Sequence, residues 1–256
     1  MRVLMFSLDP KMVDPASVVR ARHRAYAARM EELAIIVLAP THARFVEKEG
    51  TLTLYYSGHS AGFKAWYWLR GIIWGIRKGR EVIHRMQKED SEIVASSHEP
   101  FGVGLITYLV AMPLGIPIHL QLHTDIFEPS FRRVLKNQLF LILARFLLPR
   151  AQGIRVVSEH LKELLTAHYN LQPDRITVLP IFVDTEKIRD MVPIFDLKAR
   201  YVQFDKIILV VSRLAPEKRV DRALEVFAKI RENFPTAGLV IVGDGLLVGA
   251  ALDVEA

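Results

Sequence analysis

The sequence of 256 residues contains no cysteine. This absence excludes a disulfide framework, a thiolate metal site and a cysteine nucleophile, and it favours a reducing compartment, so we predict a cytoplasmic protein. The sequence also lacks an uninterrupted apolar stretch that could span a bilayer. Residues 103–122 carry no Asp, Glu, Lys or Arg, but Pro113, Gly115 and Pro117 divide them into a helix and a buried strand. We therefore predict no transmembrane segment.

Acidic residues are in the minority. The chain has 34 Lys and Arg against 28 Asp and Glu, which gives a net charge of +6. A basic chain indicates an anionic partner, such as a nucleotide diphosphate or an anionic membrane surface. The basic residues are spread out and do not alternate with stacking aromatics as in nucleic-acid-binding modules. We therefore predict no nucleic-acid partner.

Short β-branched runs alternate with helix-length stretches along residues 1–184. The strand-like runs are Val3–Leu8, Ala34–Ala39, Thr51–Tyr56, Glu92–Ser97, Ile116–His123, Gly153–Ser158 and Arg175–Pro180. The helix-like stretches are Pro15–Leu33, Gly62–Lys88, Gly102–Met112, Phe131–Leu148 and Glu159–Tyr169. This alternation predicts an α/β fold, in which a Rossmann-like parallel sheet is covered by helices on both faces.

The alternation stops at residues 185–204, which we interpret as a connector. A second unit follows over residues 205–256, and its predicted elements are strand Lys206–Val211, helix Val220–Phe234 and strand Gly238–Val242. A single βαβ unit cannot bury both of its faces. We therefore expect this second domain to be incomplete and to continue beyond Ala256, and we expect the residues after Asp205 to be poorly ordered or prone to aggregation.

Ligands of open parallel sheets bind beyond the carboxyl ends of the strands, so the residues that follow each strand are candidates for a site. Asp9 follows the first strand, and Asp14 with Pro15 has the pattern of a helix cap. Arg20 and Arg24 then share one helix face near an amino end that favours anions. These arginines are either cleft residues or a solvated basic face.

Histidine and acidic residues follow two later strands. His98 and Glu99 come after the fourth strand, and His123 and Asp125 come after the fifth. A lone histidine is usually structural, but two at the same predicted sheet edge favour a functional site. Their spacing contains no local ligand motif, so we predict no metal site.

The second unit contains the stretch SRLAPEKRVD between its first strand and its helix. Arg213 and Lys218 lie in this loop, where two cations and the amino end of a helix make a site for a diphosphate. The following strand ends in Gly243-Asp-Gly245, a turn that permits close approach of a ligand.

This stretch, followed by a helix and LVIVGDG, resembles the G-R-L-x-x-E-K-G and V-G-D/E-G motifs of family 4 glycosyltransferases. Upstream, Ile154–Leu165 resembles the family's V-S-x-x-L segment, and VLPIFVDTEKI resembles its inter-domain segment. The resemblance implies a GT-B fold, with residues 1–184 on the acceptor side and residues 205–256 binding the donor. It also implies retaining transfer of a sugar from a nucleotide diphosphate sugar, without a cofactor or an obligatory metal.

The same resemblance assigns roles to individual residues. It places Arg213 and Lys218 on the donor diphosphate, His123 in the catalytic position beside the donor sugar, and His98 in the cleft. It also implies that the acceptor is a lipid-linked, glycan or small-molecule hydroxyl. The chain departs from the family pattern after its first strand, where a glycine pair is missing, and it lacks the family's later E-x7-E pair.

The sequence argues against one other class of function and leaves two alternatives open. A nicotinamide-dependent oxidoreductase needs G-x-G-x-x-G after the first strand, and Phe6–Met12 contains no glycine. Two alternatives stay open. One is a sugar-nucleotide epimerase of the same fold, and the other is an inactive fragment that binds an acceptor or a membrane.

A tryptophan-rich basic stretch over residues 63–80 is the last notable feature. On a helix, its apolar residues Trp66, Leu69, Ile72, Ile73 and Ile76 fall mostly opposite Lys64, Arg70, Arg77 and Lys78. Tyr67, Trp68 and Trp74 extend this apolar surface. The pattern is typical either of a helix at the surface of an anionic bilayer, which would make the protein peripheral to the membrane, or of a crossover helix packed on the sheet.

Overall fold

The computed structural model describes residues 1–39, 44–58 and 64–245, and for residues 64–68 and 187 it describes the backbone alone. The chain divides into two compact units, Met1–Ile181 and Phe182–Ala256. Each unit has its own sheet, and the two are described separately below.

The first unit is built on a sheet of eight strands. They are β1 (Arg2–Ser7), β2 (Glu32–Val37), β3 (Arg44–Glu49), β4 (Leu52–Ser57), β5 (Ile93–Ser97), β6 (Ile118–Leu122), β7 (Gly153–Val156) and β8 (Ile176–Val178). Its helices are α1 (Val18–Ala27), α2 (Lys64–Met86), α3 (Gly102–Ala111), α4 (Pro129–Arg133), α5 (Leu135–Leu147) and α6 (Glu159–Tyr169). The strand order is β3-β4-β2-β1-β5-β6-β7-β8.

Helices cover both faces of this sheet, as predicted. Alternate residues of β1 point to opposite faces, so Val3 and Met5 pack with α1 while Leu4 and Phe6 pack with α2 and α3. The same layer as α2 and α3 continues with α5 and α6 over β6 and β7. Strands β1 and β2 are buried on both sides, which explains why both are rich in apolar residues.

Strand β3 was not predicted. It pairs antiparallel with β4, with Val46 opposite Tyr55, whereas the other strand pairs of this sheet are parallel. Its sequence, RFVEKE, is rich in charge and its residues are largely exposed. A charged strand at the edge of a sheet prevents pairing with another chain. Because β3 contains no apolar run, the sequence pattern did not predict it.

Two predicted helices differ from those in the structure. Helix α1 begins at Val18 rather than Pro15, because the Ser17 hydroxyl, not Asp14, caps it by accepting from the Arg20 amide at 3.1 Å. It ends at Ala27 rather than Leu33, because strand β2 already begins at Glu32. The single helix predicted over Phe131–Leu148 is divided into α4 and α5 at Val134, whose backbone is extended.

The second unit contains β9 (Lys206–Val211), α9 (Val220–Asn233) and β10 (Ala237–Val242), with the two strands parallel. The predicted connector contains two short helices, α7 (Thr185–Arg189) and α8 (Leu197–Arg200). Several apolar side chains of this unit are exposed, including Leu209, Val211 and Val242. The expected disorder or aggregation of these residues stays a prediction.

Helix α2 has a mixed environment. Ile72, Trp74 and Ile76 pack against the core, while Leu69 and Ile73 are exposed. The prediction for Lys64, Trp66, Tyr67 and Trp68 falls on side chains outside the described part of the chain. Among the described residues, no helix is both long and apolar enough to cross a membrane.

Candidate functional site

The carboxyl ends of β1, β5 and β6 are neighbours in the sheet, and the candidate residues of the first unit follow them. Asp9 lies after β1, His98 after β5 and His123 after β6. His98 is half-buried and His123 is exposed. The two histidines influence each other electrostatically, as do His98 and Asp9, so these three residues share one edge of the sheet.

A third histidine, which the sequence analysis missed, belongs to the same cluster. His23 on α1 is buried, and its ring centroid lies 5.4 Å from that of His98. Its Nδ1 lies 2.8 Å from the carbonyl oxygen of Val19. A carbonyl only accepts, so Nδ1 carries the proton and Nε2 is an acceptor, which has no hydrogen-bond partner among the described residues. Its position in the first helix after β1 was the available signal, because that helix starts at the candidate edge.

The imidazoles of this cluster are uncharged at neutral pH. Burial, together with the neighbouring His23, His123 and Arg22, lowers the pKa of His98 to about 4. Burial also lowers the pKa of His23, and partial desolvation with nearby Arg155 and Arg22 lowers the pKa of His123. Neutral imidazoles donate and accept hydrogen bonds, so this edge suits hydroxyl groups better than it suits a phosphate.

The acidic residues at the same edge hold turns in place. Glu99 accepts from the amide of Val103 at 2.8 Å, at the start of α3, and burial raises the pKa of Glu99. Asp125 accepts from the amide of Phe127 at 2.8 Å. Asp9 accepts from the Lys11 amide at 2.9 Å. The backbone thus fixes all three carboxyl groups.

The interpretation of Arg20 as a cleft residue is wrong in this structure, and so is its alternative as part of a solvated face. Its guanidinium is fully buried and pairs with Glu47 and Glu49, each at 2.6 Å. It also donates to the Tyr56 hydroxyl at 2.8 Å. Arg24 binds the other oxygen of Glu49 at 2.6 Å. The two arginines therefore fasten the unpredicted strand β3 to α1.

The candidate residues of the second unit lie between β9 and α9, as predicted. Arg213 is exposed and pairs with Glu217 at 2.7 Å. Lys218 is exposed at the end of a 3-10 turn and forms no salt bridge within the described residues. The next residue, Arg219, has φ of 50° and immediately precedes the amino end of α9. The loop thus presents two cations beside a helix amino end.

The two glycines after β10 permit contact between loops. A Cβ at Gly243 would lie 1.8 Å from the backbone oxygen of Ser212, and one at Gly245 would lie 2.5 Å from the backbone oxygen of Leu214. The Leu214 amide also donates to the Asp244 carbonyl at 2.9 Å. These glycines therefore hold the arginine-bearing loop against the end of β10.

Comparison with known families identifies both parts of the chain. The family described as Glycosyltransferase Family 4 matches residues 17–187. The family described as Glycosyl transferases group 1 matches residues 198–248, which include Arg213 and Lys218.

Individual relatives are more distant. The phosphatidylinositol N-acetylglucosaminyltransferase GPI3 subunit of Saccharomyces cerevisiae is 27% identical over 103 residues, which are 40% of this chain and 23% of the yeast protein. The match therefore spans about a quarter of that relative.

Solved structures share the fold. A trehalose-6-phosphate protein from E. coli, bound with UDP-2-fluoro glucose, aligns with a TM-score of 0.63 at 13% identity. The alignment covers 99% of this chain and 67% of the E. coli chain. HepE of Anabaena in complex with UDP aligns with a TM-score of 0.60 at 14% identity and covers 98% and 63% respectively. These likenesses confirm the predicted GT-B-like fold, in which the chain supplies one large parallel sheet and a further βαβ unit.

Proposed function

This chain belongs to glycosyltransferase family 4, and we propose that it transfers a glycosyl group from a nucleotide diphosphate sugar to an acceptor hydroxyl, with retention at the anomeric carbon. The observation that carries the proposal is the loop of Arg213 and Lys218 at the amino end of α9, within the region that matches the glycosyl transferases group 1 family.

Arg213 and Lys218 bind the donor diphosphate in this proposal. As the bond between the sugar and the diphosphate breaks, negative charge grows on the departing phosphate oxygens. Fixed cations and helix amide groups stabilise that charge without having to reorganise. In the free protein Arg213 pairs with Glu217, and the bound diphosphate replaces the Glu217 carboxylate as the partner of Arg213. The protein cations do the work for which other enzymes use a metal ion, so no metal is required.

His123 acts on the donor sugar. Its lowered pKa keeps the ring neutral at physiological pH, and it lies exposed at the carboxyl edge of the sheet. A neutral imidazole binds a sugar hydroxyl and carries no charge that would attract a phosphate. The acceptor oxygen bonds to the anomeric carbon as the diphosphate leaves, and the acceptor proton passes to a phosphate oxygen.

A lipid-linked acceptor is the class that we propose. The support is the relationship to the yeast subunit, whose name states transfer to phosphatidylinositol, over 103 residues. His123 is exposed, so an acceptor can reach it from solvent.

The test compares Arg213→Ala and Lys218→Ala with Arg231→Ala, which removes an exposed arginine from the far end of α9. Release of UDP or GDP from UDP-glucose, UDP-N-acetylglucosamine and GDP-mannose is measured with phosphatidylinositol vesicles as acceptor. We expect the first two substitutions to lower turnover by ~10²-fold and the control to leave it unchanged. Turnover within about threefold of wild type for both loop variants would sink the assignment.

A further inference from the structure

One face of α5 exposes a row of large apolar side chains. Leu135 is 86% exposed, Leu139 58%, Ile142 65% and Phe146 39%. Their spacing of four, three and four residues places them on one side of the helix, whereas Ala144 and Leu147 on the other side are buried in the core. We name these four residues the α5 stripe. Single exposed apolar residues are ordinary, but a continuous row indicates a contact surface.

The surroundings of the α5 stripe are strongly positive. Residues 129–154 contain no acidic residue, and their basic residues are Arg132, Arg133, Lys136, Arg145 and Arg150. Helical spacing places Lys136 on one side of the stripe and Arg145 on the other. The Arg150 guanidinium lies 3.9 Å from the ring centroid of Phe146, at the end of the stripe. Within the described ranges, none of these cations forms a salt bridge with a carboxylate.

A groove opens beside the stripe, between α5 and the end of α6. Its cavity volume is about 280 Å³, and its walls include Phe127, Leu141, Ile142 and Tyr169. Arg132 and Arg145 also line it, and both act electrostatically on Tyr169. Among the residues that the structure describes, no acidic side chain lines the groove. Two cations in an apolar groove next to an apolar row fit a phosphate that is joined to a hydrocarbon chain.

We propose that the α5 stripe and this groove bind the surface of an anionic bilayer. The stripe enters the boundary between headgroups and acyl chains, and Arg132 and Arg145 meet lipid phosphates, as in interfacial amphipathic helices. A second copy of the chain fits less well, because a symmetric contact would place the same cations against each other. The proposal does not depend on the glycosyl transfer proposed above.

The position of α5 in the fold places this surface near the candidate site of the first unit. Helix α5 follows β6, so its first turn lies toward the sheet edge that carries His123. A bilayer against the α5 stripe would therefore approach that edge, which is where the lipid-linked acceptor proposed above would bind.

Vesicle flotation tests the proposal without any donor sugar. The protein is floated with phosphatidylcholine vesicles and with vesicles in which part of the lipid is phosphatidylglycerol. We expect binding to the anionic vesicles alone, and we expect it to weaken as salt rises. Leu139→Gln with Ile142→Gln should lower the partition coefficient by ~10-fold or more, and Arg132→Gln with Arg145→Gln by ~10-fold.

A matched pair on α2, Leu69→Gln with Ile73→Gln, tests the other helix whose sequence suits a bilayer surface, and both side chains are about half exposed. If the α5 stripe is the binding surface, the α2 pair should bind as the wild type does, and circular dichroism should show that each variant is folded. Three results would overturn the proposal: no binding by the wild type, equal binding to both vesicle types, or loss of binding in the α2 pair but not in the α5 pair. Concentration-dependent dimers that disappear in the α5 pair, without vesicle binding, would instead assign the stripe to a second copy.

Discussion

Replacement of Glu49 with glutamine tests the buried network that joins α1 to β3. Arg20 is fully buried, so loss of the Glu49 charge leaves it with Glu47 as its one carboxylate partner among the described residues. Removal of one partner from a fully buried ion pair costs several kcal/mol. Glu49 is one-quarter exposed, and Arg20 keeps its contact with Glu47. We therefore expect the free energy of unfolding to fall by about 2 kcal/mol, which lowers Tm by about 5 °C for a unit of this size.

Thermal unfolding followed by tryptophan fluorescence measures this loss in the first unit. All three tryptophans of the sequence, at positions 66, 68 and 74, belong to that unit. Glu31→Gln is the matched control, because the pKa of Glu31 is also lowered to about 2, by its hydrogen bonds to the amino terminus and to Ser91. Glu31 is exposed, so its removal should leave Tm nearly unchanged. Equal Tm values for the two variants would refute the reasoning.

The pH dependence gives a second readout for the same residue. Hydrogen bonds from Arg24 and Arg20 lower the pKa of Glu49 from 4.5 to about 2 in the folded chain. A lowered carboxyl pKa stabilises the fold above the unfolded value, and this stabilisation is lost as pH falls from about 4.5 toward 2. Between pH 4.5 and 2, Tm should therefore fall less in Glu49→Gln than in the wild type. An equal fall of Tm in both would show that Glu49 is not stabilised by Arg20 and Arg24.

Two further predictions concern the histidines. His123→Ala should lower transfer by ~10²-fold with little change in Tm, because the residue is exposed; a lower Tm with unchanged turnover would identify it as a structural histidine. The pKa of His98 is lowered from 6.5 to about 4, so the neutral ring stabilises the fold above 6.5 and this contribution is lost as pH falls toward 4. In His98→Gln the fall of Tm between these pH values should be smaller, and an equal fall would show that His98 is not the group responsible.

Much of the fold followed from patterns that have a direct physical cause. The strands buried on both faces were predicted as continuous apolar runs, and β9, α6 and the start of α9 were placed correctly to the residue. The loop with Arg213 and Lys218 was found because its motif is local in sequence. Strand β3 was missed because an exposed edge strand needs no apolar face, and its alternating charges resemble a loop.

The burial of Arg20 in ion pairs could not be predicted without knowledge of strand β3. Its carboxylate partners, Glu47 and Glu49, both belong to the strand that the sequence analysis missed, so the sequence predicted either a cleft residue or a solvated basic face. His23 was missed for a related reason. Its significance comes from contact with His98, which is 75 residues away in sequence and becomes a neighbour when β1 and β5 pair. Long-range pairing of this kind leaves no periodic signal in a single sequence.

The central claim is that the loop of Arg213 and Lys218 binds the diphosphate of a nucleotide sugar, and amide hydrogen exchange on the whole chain tests it most directly. Exchange is compared without ligand and with saturating UDP, GDP or UDP-N-acetylglucosamine. The account predicts that at least one of these ligands slows exchange at residues 212–221 and 243–245, and that Lys218→Ala abolishes the effect while Arg231→Ala preserves it. Exchange in both segments that none of the three ligands changes, or the same protection in Lys218→Ala as in the wild type, would contradict it.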